Sequence, residues 1–343
     1  MRRLGSSGWR VTYRFAFKPY RRAFTTPVRT GHGPWVEREG LLLRLESETG
    51  AVGYGEVAPI PWFGTETLDE VAALCTAWAG KVDDAALAAV PERMGCLRFA
   101  VSVAKTGFGN PALQPNSRLP VAALLPAGRA ALEQLPARLE QGFLCLKWKV
   151  GVGDAADEIG ILDDLLGALP AYLKLRLDAN GSWDRRTAER WLARCAERPV
   201  EFVEQPVSPE STDVLRGLAT DYPVKLALDE SVVRLEAARR WQAEGWSGVF
   251  VIKPALCGPL AEIATWARET KADVVLSSAI ETVVGRAAIL RWAMESGLTT
   301  RALGFGVGGM FGSRTWDGPS IGPLVDGAWC DAAKPEELWN ALN

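Results

Sequence analysis

From residue 121 onwards one pattern recurs eight times: a short apolar run, a polar residue at its end, a loop, and an amphipathic helix. The runs are 121–125, 144–150, 173–177, 200–203, 224–228, 248–252, 274–276 and 301–305, and the helices between them are clearest at 186–197, 234–244 and 260–270. Apolar strands alternating with helices pair in parallel, because each helix returns the chain across a face of the sheet and covers it. Eight such units in about 185 residues close into a barrel. The competing arrangement is a doubly wound open sheet. What separates the two is where the polar residues fall. Lys149, Asp178, Glu204, Asp229, Lys253 and Ser277 succeed one another at gaps of 29, 26, 25, 24 and 24 residues, one βα unit each time. In a barrel these are six samples of one rim, the C-terminal ends of the strands, where barrel enzymes place their chemistry.

The first third of the chain has a different texture. Segments 9–17, 40–46 and 51–57 read as antiparallel strands around a turn at Thr49-Gly50. Helical spacing follows over 66–80 and 84–106, until Gly107-Phe108-Gly109-Asn110-Pro111 breaks it.

Composition removes several classes of function. There is one histidine, His32, so two-histidine zinc or iron sites cannot form. A Ser-His-Asp or Cys-His site would have to run on His32, whose turn-like setting (Thr30-Gly31-His32-Gly33-Pro34) reads as an ordinary loop. With 39 basic and 41 acidic residues and no basic block, nucleic acid is not an expected partner. Six scattered cysteines without a CxxC pair read as buried thiols of a reducing compartment. With no signal-peptide pattern and no apolar stretch long enough to span a membrane, the cytoplasm is expected.

Side chains alternate along a strand, so Lys147 and Lys149 face one way, as do Arg176, Asp178 and Asn180. Asp178, Glu204 and Asp229 then stand on three consecutive strands and repel one another unless a cation joins them. An oxygen-only donor set with room for water and substrate suits Mg2+, with Mn2+ able to substitute. Lys149 and Lys253, on the second and sixth of eight strands, face each other across the mouth. A neighbouring cation lowers a lysine pKa towards the range useful for proton transfer. This geometry suits removal of the proton beside a carboxylate, with the added charge taken up by metal and cationic neighbours.

Single charged residues at strand ends are usually caps, and Asp154, Asp184 and Ser208 are read that way. Six in register are not. Arg176 is either a buried ion-pair partner that supports the acids or a substrate contact. Gly304-Phe305-Gly306-Val307-Gly308-Gly309 satisfies GxGxxG, with Asp326 beyond it, but the sequence that follows is not helical, so no dinucleotide site is expected. The glycines instead allow backbone N–H groups to meet a substrate carboxylate. Trp62 sits in a loop where it could cover a ligand.

Lys147-Trp148-Lys149, Asp178-Ala179-Asn180, Glu204-Gln205-Pro206, Asp229-Glu230-Ser231 and Val251-Ile252-Lys253-Pro254 resemble, in order and spacing, the muconate-lactonising branch of the enolase superfamily, over nearly the whole chain. The general pairing of lysine with magnesium in that superfamily is well established. The resemblance implies an α/β fold, a (β/α)7β modified TIM barrel (116–310) under an α+β capping domain (1–115) on which the C-terminal tail (311–343) packs. It implies Asp178, Glu204 and Asp229 as magnesium ligands, Lys149 as the base and Lys253 as the opposed amine.

Gly53-Tyr54-Gly55-Glu56-Val57-Ala58-Pro59-Ile60-Pro61, Arg176 two before Asp178, and Ser277-Ser278-Ala279-Ile280-Glu281 are most similar to branch members acting in menaquinone or phylloquinone synthesis. These dehydrate 2-succinyl-6-hydroxy-2,4-cyclohexadiene-1-carboxylate to o-succinylbenzoate. Lys149 would then remove the α proton and assist loss of hydroxide, while Lys253 stays cationic. Lys147, Arg176, Asn180, Ser277, Ser278 and Gly306 would contact substrate, the serines and glycine loop at its succinyl end. The implied partner is a small carboxylate, with no membrane or protein partner. Segment 25–35 matches the family's lid loop only loosely.

Dipeptide epimerases carry Asp-x-Asp where Gly304-Phe305-Gly306 stands, and mandelate-racemase relatives a histidine base where Ser277 stands. N-succinylamino acid racemase, which uses the same two lysines, is the enzymatic alternative. Outside the family, a Schiff-base lyase would not need three acids, and a non-catalytic barrel would bind without turnover.

Overall fold

The computed structural model describes residues 11–30, 33–107, 113, 117–196, 198–298, 301–312 and 315–342. His32 lies outside these residues. Strands β1 (Thr12–Thr30) and β2 (Gly33–Ser47) form a hairpin much longer than the sequence pattern predicts, with β3 (Val52–Val57) and β4 (Lys81–Asp83) completing an antiparallel sheet in the order β3-β2-β1-β4. Tyr13, Phe15, Leu41, Leu43 and Leu45 bury one face of it. The helix Gly95–Thr106 lies against β3 so closely that a Cβ at Gly55 would sit 2.0 Å from the Ala100 carbonyl oxygen, so glycine is required there. The helix expected over 84–106 is two helices, Asp84–Ala88 and Gly95–Thr106. Pro91, between them, lacks an N–H and turns the residue before it away from helical backbone.

All eight apolar runs are strands: β5 (Arg118–Leu125), β6 (Cys145–Lys149), β7 (Lys174–Asp178), β8 (Val200–Glu204), β9 (Leu226–Leu228), β10 (Val249–Ile252), β11 (Asp273–Leu276) and β12 (Leu303–Gly306). They run parallel in the order β11-β10-β9-β8-β7-β6-β5-β12. The ring closes where Ser277 bridges Gly304 and the Ser278 N–H donates to the Gly304 carbonyl at 3.1 Å. A principal helix follows each of the first seven strands, and β12 leads into a glycine loop, the (β/α)7β order. Phe250 and Ile252 join the main core, whereas Val249 and Val251 join Phe202, Ala227 and Val275 in a separate apolar cluster inside the ring. Beyond the glycine loop, β13 (Leu324–Asp326) pairs antiparallel with β5. The Lys18 ammonium donates to the Trp339 and Leu342 carbonyls, drawing the tail onto the N-terminal sheet.

Two buried side chains join the antiparallel sheet to the barrel. Glu56 of β3 accepts hydrogen bonds from the N–H groups of Thr282 and Gly285, at 2.8 and 2.9 Å, and from the hydroxyls of Thr282 and Tyr20. It thereby satisfies the N-terminus of the helix Val283–Ser296. Arg38 of β2 donates to carbonyls on both sides of the same junction.

Candidate active site

A cavity of about 790 Å³ opens at the C-terminal ends of the barrel strands. Lys147, Lys149, Asp178, Asn180, Asp229, Lys253, Ser277 and Ser278 line it from the barrel, and Val28, Trp35, Ile60, Trp62 and Phe63 from the N-terminal part. Parallel register does the assembling: Lys149 pairs with Asp178, and Asp178 with Glu204, so acids and amine stand on adjacent strands at one height. Lys147 Nζ lies 2.8 Å from Asp178 Oδ2 and 2.7 Å from Glu204 Oε1. The Lys253 ammonium pairs with Asp229 and lies 5.5 Å from the centre of the Phe63 ring. Gln205, with left-handed backbone (φ 37°), accepts the N–H groups of Asp229 and Ser231 at 3.1 Å each and so fixes the end of β9.

The electrostatics are those of crowded acids. Burial pushes the Glu204 carboxyl up to about 8, with the charges of Asp178 and Asp229 adding to it. Glu230 rises to about 7 through burial and the neighbouring Asp229 and Asp178. Its Oε1 accepts from the Asn180 amide at 3.1 Å, and its Oε2 is buried with no hydrogen-bond partner among the described residues. Burial alone would lower the amines of Lys147 and Lys253, but nearby carboxylates outweigh it and hold both above the usual lysine value. The expected lowering of the lysine pKa is therefore not seen at Lys253: the acids, Asp229 first among them, set the sign there.

Among the described residues no three Asp, Glu, His or Cys side chains are grouped closely enough to act together as metal ligands in this arrangement. The Lys147 ammonium stands between two of the rim acids, and the Lys253 ammonium holds the third. The donor chemistry nevertheless fits a hard divalent cation: only carboxylate oxygen is offered, the acids are buried, and one carboxylate oxygen of Glu230 lacks a partner.

The sequence-predicted residues do not all converge. Asn180 is brought to the cavity with left-handed backbone (φ 46°). Ser277 donates to the Gly304 carbonyl at 3.3 Å and Ser278 to Glu281 at 2.8 Å, so both hydroxyls are held in the cavity wall. Arg176 is not a cavity residue. It is 1% exposed, donates from Nε to Glu201 Oε2 at 2.7 Å and from Nη1 to the Ala302 carbonyl at 2.8 Å, and lies over the Phe202 ring. Glu201, near the start of β8, and the Ala302 carbonyl, just before β12, draw the long side chain to the opposite end of the barrel. The ion-pair reading is the correct one, though its partner is Glu201 and not a rim acid. Gly306 is also displaced from its expected role. A Cβ there would lie 2.3 Å from the Ala122 carbonyl oxygen, so the contact between β12 and β5 demands the glycine, while Gly304, Val307 and Met310 line the cavity. Asp154 and Asp184 cap helices as expected; Ser208 does not, its hydroxyl bonding Glu210 while Ser211 takes the cap position.

Trp62 lines the cavity, its ring edge-to-face with Trp35 at 4.9 Å. Phe63, Trp35 and Glu230 also line the cavity, although the sequence assigned none of them a role of its own there. Glu230 carried a signal, standing next to Asp229 within a quoted motif, whereas Trp35 is brought in by the length of the hairpin. The hairpin end is held down by Phe24 stacked on Phe311 at 4.7 Å and by the Thr25 N–H donating to the Met310 carbonyl at 2.9 Å.

Acids on consecutive strands of a (β/α)7β barrel, flanked by lysines under an antiparallel sheet, define the enolase-like class. In keeping with this, residues 130–303 match the family described as enolase C-terminal domain-like, and residues 17–108 match the MenC N-terminal domain. An o-succinylbenzoate synthase of Thermosynechococcus vestitus is 41% identical over 299 residues, 86% of this chain and 92% of that protein. The chain belongs to the o-succinylbenzoate synthase family. A solved structure of o-succinylbenzoate synthase from Thermosynechococcus elongatus BP-1, complexed with Mg in the active site, superposes with a TM-score of 0.84 at 38% identity, over 96% of this chain and 100% of that one. The L-Ala-D/L-Glu epimerase of Bacillus subtilis shares the fold alone, with a TM-score of 0.76 at 23% identity over 91% of this chain and 94% of its own.

Proposed function

We propose that Lys149 and Lys253 are the working amines of a lyase that dehydrates 2-succinyl-6-hydroxy-2,4-cyclohexadiene-1-carboxylate to o-succinylbenzoate, the step the family performs in menaquinone or phylloquinone synthesis. The observation that carries this is the shared cavity: the two lysines reach it from strands β6 and β10, with rim acids from β7 and β9 between them. Lys149 takes the proton from the carbon beside the substrate carboxylate. It returns that proton to the departing hydroxyl, which leaves as water while the ring double bond forms. Lys253, kept cationic by Asp229 and its neighbours, stands against the negative charge that develops on the other face. A divalent cation held by Asp178, Glu204 and Asp229, Mg2+ or in its place Mn2+, would supply charge neutralisation at the substrate carboxylate. Lys147 holds Asp178 and Glu204 in place, and Asn180, Ser277, Ser278 and the loop from Gly304 contact the substrate.

The capping unit in this reading is 1–115 together with the tail 311–343, and the catalytic unit is 116–310. The Lys18 contacts to the tail favour that division. No described helix is long and apolar enough to cross a membrane, and all six cysteines are free buried thiols, in keeping with a cytoplasmic enzyme. The test is to offer the purified protein the cyclohexadiene substrate and a set of N-succinylamino acids with Mg2+, following absorbance and optical rotation. Dehydration far faster than any racemisation is expected; the reverse would make it a racemase.

A further inference from the structure

We propose that Arg38, which does not line the cavity, is a positioning residue that sets the spacing between its two walls and so its selectivity among succinyl-bearing carboxylates. This rests on the dehydratase reading above. The guanidinium is 1% exposed and spends its donors on main-chain carbonyls. Nη1 donates to Pro59 at 2.7 Å and to Glu39 at 3.1 Å. Nη2 donates to Ala58 and, at 3.2 Å, to Ala279; Nε donates to Ile280 at 3.2 Å. Ala58 and Pro59 open the segment that carries Ile60, Trp62 and Phe63 into the cavity, and Ala279 and Ile280 continue the segment of Ser277 and Ser278. One side chain therefore ties the wall supplied by the N-terminal part to the wall supplied by the barrel. Its cation also lies 5.3 Å from the ring of Trp35, on the hairpin that covers the same cavity.

A second observation makes the link consequential. Ile280 has left-handed backbone (φ 61°), a conformation that a β-branched residue adopts only when its surroundings impose it. The Arg38 Nε hydrogen bond to its carbonyl is one such constraint, and it acts on a residue that itself lines the cavity. The planar fork offers five N–H donors from three nitrogens and here reaches five carbonyls; an ammonium at this site keeps the charge but has three donors on a single nitrogen and cannot reach them all.

The walls would have to be held most tightly for a rigid ring whose reacting carbon must sit between two lysines, and less tightly for a flexible ligand that can adjust. Arg38→Lys is therefore expected to lower kcat/KM for the cyclohexadiene substrate on the order of 10-fold to 100-fold, chiefly through kcat. The inhibition constant of an N-succinylamino acid should change by less than about 3-fold, since it depends on binding without alignment of reacting atoms. Equal changes in the two constants, or kinetic constants per folded molecule that match the wild type while only stability falls, overturn the proposal. Should Arg38→Lys fail to fold, Arg38→Gln keeps an amide donor but not the fork, leaves every cavity-lining side chain in place and is expected to give the same uneven split; an even one overturns the proposal as well. The wild-type enzyme is the control. If it does not turn over the cyclohexadiene substrate, the functional reading fails; if it does and the variants behave like it, only the role of Arg38 fails.

Discussion

The two ends of the barrel use the same strands and the same residue types to opposite effect. At the C-terminal rim, Asp178, Glu204, Asp229 and Glu230 crowd together, with Glu204 pushed up to about 8 and Glu230 to about 7. At the N-terminal rim, Glu201 takes Arg176 at 2.7 Å and also pairs with Arg301, while Asp273 takes Arg301 at 2.7 and 2.8 Å and Lys225 at 3.1 Å. Burial would raise Glu201, but the charge and hydrogen bond of Arg176 outweigh it, and the hydrogen bond of Arg301 lowers Asp273. Acids at the lower rim are paired with arginine and lysine; at the upper rim lysines hold Asp178, Glu204 and Asp229, while Glu230 keeps a buried carboxylate oxygen with no partner among the described residues. The raised carboxyls of Glu204 and Glu230 stand at the cavity end of the barrel and the lowered ones of Glu201 and Asp273 at the other, which separates the end built for chemistry from the end built for stability.

Removing metal should expose this contrast most strongly. With EDTA, dehydration measured by absorbance falls to background, and added Mg2+ restores it; activity that survives exhaustive chelation would remove the cation from the upper rim altogether. Lys149→Ala should cost about 10²-fold to 10⁴-fold in kcat with the circular dichroism spectrum unchanged, and near-normal turnover would mean that the proton moves elsewhere. At the lower rim the expectation inverts. Glu201→Gln leaves Arg176 buried without its carboxylate and should cost about 3 to 5 kcal/mol in denaturant unfolding, while kcat per folded molecule stays close to wild type.

The smallest effect is on acid stability. Glu201 and Asp273 have folded values below their unfolded ones of 4.5 and 3.8, so the stability they contribute is present above those unfolded values and drains away as pH falls through the lowered folded values. Denaturant midpoints followed from about pH 6 to about pH 3 should therefore fall less steeply in Glu201→Gln than in wild type. A parallel decline in both proteins would assign the acid sensitivity to other carboxylates.

The barrel was legible because its period is carried by local chemistry: an apolar run, a polar terminus and a helix repeat in one continuous stretch of chain. The rim residues were legible for the same reason. Arg176 misled because alternation along a strand fixes which way a Cβ points and leaves a long side chain free to lean towards either end. The lower rim had a signal of its own, since Lys174, Glu201, Lys225, Asp273 and Arg301 stand within two residues of the starts of their strands. Their charges read as ordinary loop residues until the circle closed. Gly306 misled because a glycine required by a neighbouring strand looks, in sequence, like a glycine required by a ligand. The joining role of Arg38 and Glu56 could not be found by pattern: the barrel groups each one meets lie more than two hundred positions away and are mostly main-chain groups, which no side-chain motif announces.

The seat of Glu56 also bears on how the chain reaches its final form. A ribosome makes this carboxylate early, yet the N–H groups that satisfy it belong to Thr282 and Gly285, which emerge only when most of the polypeptide already exists. Until then the N-terminal sheet carries an acid it cannot bury without cost. A chain ending before Thr282 would lack the main-chain donors that hold Glu56 in the folded protein.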